Sequence, residues 1–150
     1  DVFLHILNVP AAYHSRMMDP VLQEIAGSLS ELAKQKPELE LISTVTGRAA
    51  SGDDIVSGSY WARQVRDPVV FSQAIVTSMK DKPNVVFVEM GPHRALQRNI
   101  IETLGKQTKV FPSLQTGREY EALLALVKGL FELGFNPDWP HLYDGYQSVP

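Results

Sequence analysis

The chain has 150 residues, 44% of them hydrophobic and 21% charged, which supports a globular domain with a real core and argues against disorder. Its net charge of -3 with scattered basic residues leaves no basic footprint for nucleic acid, and the lack of cysteine excludes disulfides, thiolate nucleophiles and cysteine metal sites. No apolar run reaches the roughly 20 residues that span a bilayer, and no signal-peptide pattern opens the chain, so no membrane partner is expected and a reducing, cytoplasmic setting fits.

In chain order, residues 2–9 are rich in branched apolar side chains and predict a strand that Pro10 ends. Asp19 fits an N-cap and Pro20 a first helical position. Met18, Val21, Leu22, Ile25, Leu29 and Leu32 then recur at helical spacing, predicting an amphipathic helix over 19–35 that Pro37 stops. Residues 39–46 favour a strand, and 47–58 a polar loop. A short helix over 60–65 breaks near Asp67-Pro68. The helical period returns over 69–80. Residues 85–88 form a continuous apolar run, as in a strand covered on both faces. Gly91-Pro92 turns the chain into a helix through Leu96, Ile100 and Leu104. A strand over 109–114 and a helix over 119–133, stopped at Gly134, follow. Alternating strands and helices define an α/β class with a largely parallel sheet. The chain lacks an initiator Met, and both ends read as cut from something longer.

Four histidines are candidates for chemistry. His5 sits in the first predicted strand and reads as structural, and His141 follows Trp139-Pro140 as a surface group. His93 follows Gly91-Pro92 at the carboxyl end of a buried strand, where α/β sheets place ligands. His14 sits where a strand has just ended, and an imidazole there can serve as a general base near neutral pH. No metal set can be assembled, since the sequence has no H-E-x-x-H and no close histidine pair. The run from Gly47 to Gly52 lacks the end of a phosphate loop and reads as a polar turn. Asp53 and Asp54 read as solvating that loop or capping the next helix. Tyr60 and Trp61 read as packing residues rather than an exposed aromatic patch. No G-x-S-x-G elbow exists to present a nucleophile, and Ser15, adjacent to His14 in sequence, would point elsewhere.

Ala12-Tyr13-His14-Ser15 with Met18-Asp19-Pro20 resembles the histidine motif of malonyl-type acyltransferase domains, found in modular polyketide synthases and animal-type fatty acid synthases. Four further blocks match in the same order: 42–47; 60–69, a tyrosine-tryptophan to arginine-x-proline-valine block; 87–93, ending in glutamate-x-glycine-proline-histidine; and Gly134 with Asp138-Trp139 and Leu142-Tyr143. Five ordered blocks across nearly the whole chain make chance similarity improbable.

The resemblance implies a serine–histidine dyad working by ping-pong transfer. Serine takes malonyl from malonyl-CoA, His14 takes the serine proton, and malonyl passes to the phosphopantetheine thiol of an acyl carrier protein. No cofactor is bound directly; the phosphopantetheine belongs to the carrier. The resemblance also assigns the main-chain carbonyl of Gln64 as the partner that holds His14. It makes the residues before the histidine, Ala11, Ala12 and Tyr13, sort the extender unit. An aromatic at Tyr13 fills the space of an α-methyl and favours malonyl over methylmalonyl. Ala11 departs from the histidine or tyrosine often found there, which leaves an acetyl or mixed loader open.

The family's G-H-S-x-G serine, its carboxylate-binding arginine and its glutamine-rich start have no counterpart in this sequence. The chain therefore resembles the carboxyl-terminal half of the domain. Expected are the last strand of a ferredoxin-like small subdomain over 1–12, part of the transacylase-like (α/β-hydrolase-like) large subdomain over 13–143, and the start of a linker over 144–150. Its expected partners are the upstream half of the same domain and neighbouring synthase domains, and alone it is expected to be inactive. Two other readings stay open: a degenerate transferase segment that only docks carrier protein, and a hydrolase of related fold.

Overall fold

A computed structural model describes residues 9–33 and 37–145, which fall into two units divided between Asp81 and Lys82. His5 and all but Val9 of the strand predicted over 2–9 lie outside the described residues. The expected subdomain boundary at residues 12 and 13 falls inside the first unit.

The first unit is helical. A 3-10 helix, Arg16–Val21, runs into α1, Leu22–Ser28. This corrects the helix predicted over 19–35 at both ends. Ser15, not Asp19, is the N-cap: it is extended, and its hydroxyl accepts from the Met17 amide, so winding begins one turn earlier. Asp19 and Pro20 lie inside the 3-10 helix. At the other end Ser30 Oγ donates to the Gly27 carbonyl at 2.7 Å, drawing off an acceptor the next turn would need.

The strand predicted over 39–46 is a tight reversal instead. Only Ile42 and Ala49 bridge, antiparallel. The Val45 amide donates to Ser43 Oγ at 3.0 Å, in competition with a ladder, and Gly47 turns the chain at φ 68°.

Inside the expected loop lies α2, Gly52–Ile55, started by a capping box. The Ser51 amide, and after it the Ser51 hydroxyl, holds the Asp54 carboxyl below its ordinary value of 3.8. Next come α3, Gly58–Arg66, and α4, Phe71–Met79. Helices α1 and α3 meet so closely that a Cβ on Gly58 would lie 1.9 Å from the Ala26 carbonyl oxygen. Tyr60 and Trp61 pack edge to face, with Tyr60 Oη 2.9 Å from buried Ser43 and the Trp61 indole N–H donating to the Ile55 carbonyl. Val45, Ala62 and Ala74 are the buried apolar residues of this unit among those described.

The second unit is built on a β-α-β crossover. Strands β1, Val86–Glu89, and β2, Lys109–Pro112, pair in parallel with Val86 opposite Lys109 and Glu89 opposite Pro112, and α5, Gln97–Leu104, connects them. The fold is thus α/β, with the expected parallel pairing. Two-sided cover of β1 is not observed: Val86 and Phe87 are half-buried and Val88 is exposed, and β2 is its sole strand partner among the described residues.

Helix α6, Glu119–Glu132, packs on β2 and ends in a Schellman arrangement. Gly134 has φ 91°, its amide reaches the Phe131 carbonyl, and the Phe135 amide reaches that of Leu130. A last turn, α7, Trp139–Leu142, carries His141 on the surface and places Trp139 against Phe131 and Tyr143. Among the described residues no helix is long and apolar enough to cross a membrane.

Candidate active site

His14 is held by its backbone and by its ring. It is not a glycine, yet it has φ 61°, a conformation costing on the order of 1–3 kcal/mol that persists only where surroundings enforce it. The enforcement comes from the end of α3. The His14 amide donates to the Val65 carbonyl at 2.8 Å, and Nδ1 lies 2.9 Å from the Asp67 carbonyl oxygen. A carbonyl oxygen only accepts, so Nδ1 carries the proton and Nε2 is left as the acceptor. This is the tautomer a general base requires.

The carbonyl in contact with Nδ1 is that of Asp67 rather than that of Gln64, the residue the resemblance assigned. The reason lies in the next residue. Pro68 disfavours the helical region for Asp67, which is extended at φ −79°, ψ 155°. Helix α3 therefore stops at Arg66, and the Asp67 carbonyl leaves the helical direction. Gln64 sits within α3, half-buried. The Asp-Pro pair was the available sequence signal.

Around this contact the polar groups are engaged. Ser15 Oγ donates to the Ala12 carbonyl at 2.7 Å and caps the 3-10 helix, which fits its reading as a bystander. Arg63 pairs with the Asp67 carboxylate at 2.9 Å, and Arg66 pairs with Asp19. Sequence reasoning did not find the Arg66–Asp19 pair; its partners stand 47 residues apart. Ala11 is half-buried, whereas Ala12 and Tyr13 are exposed beside His14, Tyr13 at 51%. Ala11, Ala12, Tyr13, His14 and Gln64 all belong to the first unit.

The second unit holds the glutamate-x-glycine-proline-histidine segment. Glu89 is buried at the end of β1, and its carboxylate accepts from the amides of Ala95, Leu96 and Gln97 at 2.6, 2.7 and 3.0 Å. It closes the start of α5, where unpaired amides and the helix dipole favour an anion. His93 is exposed in the turn that follows β1. A cleft of about 310 Å³ is lined by residues that include Arg94, Gln115, Arg118 and Leu126, and neither serine nor histidine is among its lining residues. No cluster of potential metal ligands occurs among the described residues.

Residues 1–133 match the family described as acyl transferase domain. The chain is 31% identical over 144 residues to the non-reducing polyketide synthase pkgA of Emericella nidulans, covering 93% of the chain and 8% of the relative. It is 35% identical over 146 residues to the polyketide synthase GfsA of Streptomyces halstedii, covering 95% and 2%. The chain thus spans a small part of the curated relatives it matches. Among solved structures, the acyltransferase domain from the second module of the salinomycin polyketide synthase matches at 30% identity and a TM-score of 0.81, covering 96% of this chain and 35% of that one. The malonyl CoA-acyl carrier protein transacylase of Clostridium perfringens matches at 25% identity and a TM-score of 0.68, covering 87% and 40%. By sequence and by fold, the chain belongs to the acyl transferase domain family.

Proposed function

We propose that this chain is the histidine-bearing half of an acyltransferase domain that moves malonyl from malonyl-CoA to the phosphopantetheine thiol of an acyl carrier protein, within a polyketide or fatty acid synthase. The observation that carries the reading is the Nδ1 contact to the Asp67 carbonyl, which leaves Nε2 free to accept a proton. The nucleophilic serine comes from residues outside this sequence. Its hydroxyl proton passes to Nε2 as oxygen attacks the thioester carbonyl. The imidazolium returns that proton to the departing CoA thiolate, leaving an acyl-serine. The carrier thiol then gives its proton to Nε2 and attacks the ester, and the imidazolium hands the proton to the departing serine oxygen, restoring the hydroxyl and the neutral ring. The Asp67 carbonyl steadies the imidazolium formed at each stage.

Malonyl is the substrate favoured by Tyr13, whose ring crowds the place of an α-methyl; a single methyl is worth about 1–3 kcal/mol in such a pocket. The match to a malonyl CoA-acyl carrier protein transacylase supports the same choice. The domain boundaries read from the resemblance, with 1–12 in the small subdomain, 13–143 in the large one and 144–150 in the linker, belong to this proposal.

The test uses the acyltransferase domain completed with its serine-bearing half. His14→Ala is expected to lower malonyl transfer from CoA to carrier protein by at least about 100-fold, the lower end of what a general base contributes. Transfer at the wild-type rate would overturn the assignment. The 150-residue chain alone, incubated with malonyl-CoA, is expected to show no acyl adduct by mass spectrometry.

A further inference from the structure

We propose that the Arg66–Asp19 ion pair is a positioning device for His14: it locks the end of α3 against the 3-10 helix that follows the histidine, and so selects the tautomer with the proton on Nδ1. The inference rests on His14 being the base, but its test requires no transfer reaction, so the two can fail separately.

Three consecutive residues at the end of α3 reach the His14 segment. Val65 takes the His14 amide, Asp67 takes the imidazole Nδ1–H, and Arg66, between them, binds Asp19. The first two contacts both end on His14 and define a hinge about that residue. They do not stop the following segment from swinging, and a swing would carry the ring off the Asp67 carbonyl. Asp19 supplies the third point, five residues on. It sits in a helical segment whose first turn is fixed at Ser15 by the Met17 amide and by the bond from Ser15 Oγ to the Ala12 carbonyl. A load on Asp19 is therefore passed back to His14 rather than lost in a loose loop. The left-handed backbone of His14 makes this necessary, because a strained residue relaxes as soon as its surroundings allow.

Position, not stability, is what the pair contributes. Both side chains are part-exposed, and ion pairs of that kind add little to folding free energy. The chain is expected to fold without it, and the loss appears in the imidazole. Without a fixed acceptor at Nδ1 the two neutral tautomers compete.

The experiment is nitrogen NMR of the His14 ring in the acyltransferase domain completed with its serine-bearing half, labelled at histidine and held at a pH where the ring is neutral. Wild type is expected to show Nδ1 protonated and Nε2 bare. Arg66→Gln and Asp19→Asn are each expected to lower the ratio of the Nδ1–H to the Nε2–H form about fivefold, the worth of one ordinary hydrogen bond. The exchanged pair, Asp19→Arg with Arg66→Asp, is expected to recover at least part of it. An unchanged ratio in either single variant overturns the proposal, since the two charges must act as a unit. So does loss of the folded spectrum in either single variant, because a positioning pair leaves the fold standing.

Discussion

Glu89 carries a task that its motif does not announce. Its carboxylate gathers three successive amides at the start of α5, so a charge on a buried strand end is converted into a helix cap. Glu89→Gln removes the charge and one acceptor oxygen while keeping the shape. It is expected to cost about 1–3 kcal/mol of stability, measured by denaturant titration, with faster hydrogen exchange at Ala95, Leu96 and Gln97. A screen on activity alone would confuse this loss with a catalytic one. His14 is the converse case. The sequence marks it as a residue able to act as a base, because an imidazole just after a predicted strand is readable without coordinates. It does not mark Val65, Arg66 or Asp67 as its support, because those contacts close across about fifty residues and two of them use main-chain carbonyls. Backbone acceptors leave no trace in side-chain identity. Only Pro68, by bending Asp67 out of the helix, leaves a readable mark.

Among the elements, helices α3, α4, α5 and α6 fall where their apolar spacing puts them, and β1 and β2 where their apolar runs put them. Periodicity reports a face that is buried, and these elements each bury one. The failures share another cause, namely side chains that compete with the backbone. Ser15 starts a helix early, Ser30 helps end it early, and Ser43 turns a predicted strand into a reversal. Helix α2 was legible in the Ser51-x-x-Asp54 pattern, but four residues are too few to show a period. Helices α1 and α3 depend on a glycine at their crossing. In Gly58→Ala the new methyl would overlap the Ala26 carbonyl oxygen, a main-chain atom that cannot rotate away. The variant is expected to lose about 1–3 kcal/mol or more, despite alanine's better helix propensity, and its thermal midpoint is the readout. An increase in midpoint would show that the two helices separate freely.

At the scale of the whole molecule, the candidate residues Ala11, Ala12, Tyr13, His14 and Gln64 all fall in one unit. The buried apolar residues are Val45, Ala62 and Ala74 in the first unit and Ile100 and Val110 in the second, among those described. Large apolar side chains stand exposed, Leu39 at 84%, Met90 at 82% and Met17 at 72%. Neither the composition nor the motifs distinguish these from core residues, because burial is decided by which other surfaces are present. The hydrogen bonds that hold His14 also bear on how its surroundings respond to heat. An imidazole whose proton sits on one nitrogen only while a distant helix end stays docked is a thermometer for that docking. On warming, the end of α3 can fray by breaking its few bonds to the His14 segment, far short of unfolding. The imidazole is therefore expected to randomise its tautomer several degrees below the melt followed by far-UV circular dichroism. The two transitions would coincide if the helix end detached only with the unit as a whole. Where the tautomer is lost first, a misplaced proton precedes any change that bulk measures of folding detect.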